Sequence, residues 1–199
     1  DLYPIGVAQR SGLFDQVYVS TEHQEIADIA RSFGAEVIER PVGIAEDRST
    51  VAQVCLHALE ELPEIDLFCC IYATSVLLKP ESLRSSRLLL DHPSVADFVI
   101  GVSEYEFPPV QALVKDSSGF LSYMWPKWQG VQSQFHPHLV VSNGTFYWAR
   151  KDAMLQEQTF YGRRLRGFVV SQDQVSDVND LKDLDRVRRI FSELEGVSR

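Results

Sequence analysis

The sequence has no run of eighteen apolar residues and no opening signal-peptide pattern, so nothing in it reads as a membrane span or a leader. Positive charge is scarce. With 19 Lys and Arg against 28 Asp and Glu, the formal net charge is −9, which argues against non-specific binding to nucleic acid or to an anionic membrane. An anionic small ligand stays open, since a few placed cations or a metal ion suffice. Cysteine is sparse as well: Cys55, Cys69 and Cys70 cannot all pair, and the last two are neighbours in an apolar run. That usage points to buried thiols in a reducing cytoplasm rather than a disulfide framework or a metal site. Two phosphate-binding signatures, G-x-x-x-x-G-K-S/T and G-x-G-x-x-G, are also missing.

What is present reads as one α/β domain over 1–199, since 199 residues at 45% hydrophobic suffice for one sizeable core. The chain is organised around Arg40 to Leu59. Ala35 to Ile38 has the look of a strand, and a turn-like segment with Pro41 and Gly43 follows. Then Val51, Val54, Cys55, Ala58 and Leu59 recur at helical spacing. Asp47, Ser49 and Thr50 stand before that helix, where short oxygen-bearing side chains cap free N–H groups. Ligands of open α/β sheets bind at such strand-to-helix loops, although an ordinary capped loop has the same pattern.

Around this stretch strands alternate with helices. A helix from the N-terminus to Gly12 precedes a strand over Gln16 to Ser20. A helix from Thr21 to Phe33, with Ile26, Ile29, Ala30 and Phe33 on one face, is stopped by Gly34. Leu67 to Tyr72 is a continuous apolar strand, the mark of a parallel sheet covered on both sides. Pro80 opens a helix to Leu90, and Phe98 to Val102 is another strand. The order predicts a doubly wound, mostly parallel sheet with helices on both faces.

Past Ser103 the rhythm changes. Ala112 to Lys115 and Phe120 to Tyr123 read as a hairpin turning at Asp116 to Gly119, and Trp125 to Pro137 as loop or projecting arm. Phe146 to Trp148 and Phe168 to Val170 are further short strands, and Leu181 to Leu194 is an amphipathic helix.

Tyr3-Pro-Ile, Ser11-Gly-Leu-Phe-Asp15, Val19-Ser-Thr21, Glu25-Ile-Ala27, Phe33-Gly-Ala-Glu-Val37, Arg40-Pro41, Ala45-x-Asp47 and His57-Ala-Leu59 fall in one order at one spacing. Together they resemble the acylneuraminate cytidylyltransferase family. Trp125-Pro126, Ser133-Gln134 and Phe146-Tyr147-Trp148 look most like its pseudaminic acid branch. The resemblance implies a Rossmann-like nucleotidyltransferase that uses CTP and Mg²⁺ to join CMP to a nine-carbon nonulosonic acid. It also implies a homodimer paired through the hairpin and arm over residues 103–137.

The resemblance carries roles onto particular residues. Arg40, Asp47 and Ser49 would hold cytosine and ribose, although a solvated strand end and a helix cap describe Arg40 and Asp47 equally. Thr74 and Ser75 match a P-T-S-P loop whose prolines are here Ala73 and Val76. Asn143-Gly144 matches a pair beside the sugar, yet reads by itself as a tight turn before a strand. Gln132 stands where relatives carry an Arg near the sugar carboxylate. Asp177 and Asn179 match a D-I-D that holds Mg²⁺, with Asp177 catalytic and an amide in place of the second acid.

The basic loop R-x-x-S-K-x-x-x-K-N that the resemblance sets ahead of Asp1 does not occur in the sequence, and neither does the strand before it. A chain truly without them would be a catalytically silent homologue that binds a nucleotide or a protein partner, and this is the second reading. Three other features point to structure. His136-Pro-His138 lacks further ligands at metal spacing, His57 lies near an apolar helix face, and Arg163-Arg164-x-Arg166 reads as a solvated strand edge.

Overall fold

The computed structural model describes residues 3–45 and 49–176, together with Asp183, Asp185, Arg189 and Ile190. Its first half runs α1 (Tyr3–Ser11), β1 (Tyr18–Thr21), α2 (Gln24–Ser32), β2 (Glu36–Glu39), α3 (Val51–Glu61), β3 (Leu67–Ile71), α4 (Pro80–Leu88) and β4 (Phe98–Glu104). There follow β5 (Leu113–Lys115), β6 (Leu121–Tyr123), β7 (Val140–Arg150), α5 (Lys151–Glu157) and β8 (Leu165–Val169). The expected helix over Leu181 to Leu194 falls mostly outside the described residues, although the four described there are helical.

Local chemistry explains the boundaries. Gly12 and Gly34, at φ +67 and +79, close the first two helices in a left-handed conformation that costs other residues more. Thr50 starts α3 with a capping box: its hydroxyl accepts from the Gln53 amide N–H at 3.3 Å, and its own N–H donates to Gln53 Oε1 at 2.8 Å. Such a cap contributes about 1 kcal/mol. Pro80 opens α4, where the absent N–H costs nothing.

Strands β1 and β2 pair in parallel, and β5 and β6 form the expected hairpin. The main sheet has the order β3-β7-β4-β8. Within it β4 and β8 are parallel, whereas β7 runs antiparallel to both β3 and β4. The sheet is therefore mixed, and the apolar run at Leu67 to Ile71 has an antiparallel neighbour. What makes the run continuous is burial on two faces. Phe68, Cys70, Phe98, Ile100, Tyr147 and Ala149 face a core closed by Cys55 and Leu59 of α3 and Met154 of α5. Their sequence neighbours Leu67, Cys69, Ile71, Val99, Phe146 and Trp148 face a second core, closed by Val7 of α1 and Leu83 of α4. Period-two alternation thus feeds two apolar layers at once.

Trp148 anchors the second core. Its ring stacks on Phe14 at 5.3 Å, and its indole N–H donates to Ser86 Oγ at 2.9 Å. Arg164 and Arg166 are structural clamps. Arg164 grips Asp97, with Nε 2.6 Å from Oδ2, and Arg166 donates to the Leu89 carbonyl and Ser94 Oγ. The expected solvated edge is thus tied down by ion pairing and carbonyl contacts. Helix α2 departs from its expected face: Ala27 and Ala30 are buried, but Ile26 and Ile29 are 46% and 44% exposed.

Candidate active site

Three segments meet at the carboxyl ends of β3, β4 and β8, and Tyr161 from the loop before β8 joins them in lining one cavity. The turn after β3 carries Tyr72, Thr74 and Ser75, and its direction is fixed by Tyr72 N–H donating to the Thr145 carbonyl at 3.2 Å. Because β7 is antiparallel, its N-terminal half lies at this same end, with Ser142 opposite Val102. The chain after β8 returns through a 3-10 turn at Gln172–Gln174. Buried Gln174 accepts from Lys79 N–H at 3.1 Å and from Ser82 Oγ at 2.7 Å, docking that turn on the start of α4. Ser176 then donates its hydroxyl to the Thr74 carbonyl.

These segments enclose a cavity of about 340 Å³. Tyr72, Tyr147 and Tyr161 supply rings, Ser142, Asn143 and Gly144 supply the strand wall, and Thr74 and Ser176 close the remaining side. Among the described residues the lining holds no Lys, Arg, His, Asp or Glu. The Ser142 and Tyr147 hydroxyls are 3.0 Å apart, and the Tyr72 and Tyr147 rings tilt together at 5.5 Å. Burial pushes both phenols above their ordinary range, and in Tyr72 the neighbouring Tyr147 adds to it.

Asn143-Gly144 is a bulge inside β7 rather than a turn before it. Gly144 is at φ +66, and the pairing with β4 shifts register between Ile100 and Val102. Asn143 braces the bulge: its Oδ1 accepts from Thr145 Oγ1 at 2.6 Å and Thr145 N–H at 3.2 Å, and its Nδ2 donates to Ser103 Oγ at 3.1 Å. A side chain on Gly101 would meet Asn143 Oδ1 at 2.9 Å, so the brace depends on a glycine there.

The other sequence-derived candidates are spread more widely. Ser75 is 1% exposed, and its hydroxyl donates to the Thr145 carbonyl at 2.8 Å, so here it braces the turn. Arg40, just past β2, reaches back along β1. It donates to the Ser20 carbonyl and hydroxyl and stands 3.6 Å from Glu22. Ser49 lies in the loop before α3. Gln132, exposed in the arm, accepts from Gln134 Nε2 at 2.6 Å and does not line the cavity. Asp47, Asp177 and Asn179 lie outside the described residues. Among the described residues no group of three or more His, Cys, Asp and Glu could hold a metal.

Sequence reasoning missed Tyr72, Ser142, Tyr147, Tyr161 and Ser176 as cavity residues. Only the strand register brings Tyr72 and Tyr147 together. Cys70 is opposite Tyr147, so Tyr72 is its diagonal neighbour on the same face.

The family profile described as Cytidylyltransferase matches residues 2–106. A curated relative in Helicobacter pylori, pseudaminic acid cytidylyltransferase and UDP-2,4-diacetamido-2,4,6-trideoxy-beta-L-altropyranose hydrolase, is 25% identical over 182 residues. The match covers 88% of this chain but only 34% of that protein. Pseudaminic acid cytidylyltransferase of Campylobacter jejuni (serotype O:2) is 26% identical over 195 residues, covering 95% of this chain and 83% of the relative. Among solved structures, CMP:2-keto-3-deoxy-manno-octonic acid synthetase complexed with CTP superposes with a TM-score of 0.65. That likeness has 12% identity and covers 95% of this chain and 87% of the other, so it speaks to the fold.

Proposed function

This chain belongs to the cytidylyltransferase family, and from that membership we propose that it transfers CMP from CTP to a nine-carbon nonulosonic acid, pseudaminic acid or a close relative. The anomeric hydroxyl of the sugar attacks the α-phosphorus of CTP. A new P–O bond forms as the hydroxyl proton passes to solvent, the bond to the bridging oxygen of the β-phosphate breaks, and pyrophosphate leaves. The observation that carries the reading is the convergence of the turn after β3, the bulge of β7 and the chain after β8 on one cavity at the carboxyl ends of the strands, where α/β folds bind ligands.

The protein's part in such a transfer is positioning and charge stabilisation. Arg40, Asp47, Ser49 and Thr74 are assigned to the cytosine and ribose, with Ser75 bracing the turn that carries Thr74. Asn143 and Gly144 shape the sugar side, and Gln132 is assigned to the sugar from the arm. Asp177 and Asn179 offer oxygen donors of the hard type that Mg²⁺ prefers, and the described chain reaches the cavity at Ser176, one residue ahead of Asp177. Mg²⁺ bound there would neutralise charge on the triphosphate.

Pairing as a homodimer is supported by the arm, where Phe107, Phe120 and Phe135 are 76%, 75% and 69% exposed. A cytoplasmic setting is supported by three free thiols, Cys55, Cys69 and Cys70.

Calorimetric titration with CTP, UTP and ATP in the presence of Mg²⁺ tests the nucleotide assignment. The account predicts CTP binding at least about tenfold tighter than UTP, weakened in Arg40→Ala. Equal affinity for all three would contradict it. CTP binding with no turnover on any nonulosonic acid would instead favour the silent homologue.

A further inference from the structure

Helix α4 begins without a cap of its own. A helix start leaves main-chain N–H groups with no partner inside the helix, and the Lys79 side chain at the N-cap makes no capping hydrogen bond. The cap comes from another part of the chain. Buried Gln174 places its side-chain carbonyl 3.1 Å from the Lys79 N–H and 2.7 Å from the Ser82 hydroxyl, and both donate to it. A main-chain N–H can only donate, so the oxygen of the amide, not its nitrogen, faces the helix. In α3 the residues Thr50 and Gln53 join the same two positions, N-cap and third helical residue, within one helix. In α4 the bridging side chain stands 95 residues from the N-cap.

This bridge joins two segments that the transfer needs together. The chain after β8 leaves the sheet at Val170, whose N–H donates to the Val102 carbonyl at 2.9 Å. Beyond that point it is tied at Asp173 to Lys79, at Gln174 to the start of α4, and at Ser176 to the Thr74 carbonyl. The Lys79–Asp173 pair is largely exposed and contributes little. The turn that carries Thr74 is held separately, because the Tyr72 N–H and the Ser75 hydroxyl both donate to the Thr145 carbonyl of β7. Loss of the Gln174 carbonyl would therefore loosen the chain after β8 and leave the turn after β3 in place. Asp177 follows Ser176 directly, and successive Cα atoms are about 3.8 Å apart, so a shift at Ser176 passes to it.

We propose that Gln174 is a positioning residue of the transfer: its side-chain carbonyl fixes the chain that leads through Ser176 to Asp177 against the turn that carries Thr74. The roles of Thr74 and Asp177 rest on the transferase reading, whereas the clamp rests on the geometry alone. Ligation of Mg²⁺ has to be near-octahedral, so a loosened clamp acts on metal-assisted binding of the triphosphate.

Calorimetric titration of the intact protein with CTP, with and without Mg²⁺, tests it. The ratio of the two Kd values reads the metal's contribution apart from that of the base and ribose. Gln174→Met keeps the length of the side chain and removes the acceptor. It should reduce the Mg²⁺-dependent gain in CTP affinity at least about fivefold, with the metal-free Kd within about twofold. Gln174→Glu keeps an acceptor in the same place, at a helix N-terminus that favours negative charge, and should retain at least about half of the gain. Ser86→Ala is the control for lost stability. It removes the buried hydrogen bond from Trp148 further along α4, and should lower Tm without changing the gain. Ser82→Ala removes one of the two donors to Gln174; it should lower the gain in the same direction, and it decides the matter if Gln174→Met does not fold. A gain unchanged in these clamp variants, lowered equally in Ser86→Ala, or lost equally in Gln174→Glu would overturn the positioning role and leave Gln174 a helix cap, with the transferase reading standing. So would CTP affinity in the wild type that Mg²⁺ does not alter. No CTP binding by the wild type would overturn both.

Discussion

Ser142 and Tyr147 lie five residues apart on one strand, yet their hydroxyls are 3.0 Å apart. In a regular strand an odd separation sends side chains to opposite faces. The left-handed Gly144 between them adds a bulge that shifts parity by one and brings both to the cavity. Gly144→Ala should therefore cost about 1–2 kcal/mol through backbone strain, seen as a Tm lowered by several degrees, and should weaken sugar binding with it. A Tm unchanged within a degree would show that the bulge tolerates a side chain.

Ser75→Ala removes one of two donors to the Thr145 carbonyl, which keeps the Tyr72 N–H. The expected loss is about 0.5–1.5 kcal/mol of unfolding free energy, measured by urea denaturation. A neutral result would show that the turn after β3 is held by other contacts.

The Lys79 ammonium, 2.6 Å from Asp173, lowers that carboxyl below its usual value, and Ser171 adds to the shift. A depressed folded-state pKa stabilises the protein above the unfolded value, about 3.9, and the benefit fades as pH falls through the folded value. Asp173→Asn should therefore be the less stable protein at pH 7, with the gap closing as pH falls below the unfolded value and through the lower folded one. A gap independent of pH would remove the ion pair from the explanation. Because both partners are largely exposed, the effect is small and should shrink further in salt.

The arm presents Phe120 at the hairpin's end and Phe107 and Phe135 beyond it, all mostly in solvent. Sedimentation should show a dimer at micromolar concentration, and Phe120→Asp with Phe135→Asp should shift it to monomer. A wild-type monomer would contradict the pairing.

Much of the fold was legible because its signals are local. Gly12, Gly34, Thr50 and Pro80 each mark an element boundary by backbone chemistry. Strand direction was not legible, since the apolar run at Leu67 to Ile71 reports burial on two faces and says nothing of its neighbour. The full length of β7 was hidden because Asn-Gly imitates a turn, and α5 because Lys151–Glu157 carries little apolar periodicity. Ile26 and Ile29 show that a helical stripe foretells a face and not what covers it. The meeting of the cavity's tyrosines was illegible for a different reason. Tyr72 and Tyr147 are joined by strand register alone, and no sequence spacing carries that.

The most direct test of the account is pyrophosphate release by the purified protein from CTP, pseudaminic acid and Mg²⁺. The account predicts CTP-dependent release matched one for one by CMP-sugar, weakened in Asp177→Ala and falling away when either substrate is omitted. No release with any nonulosonic acid, from protein shown to bind CTP, would contradict it.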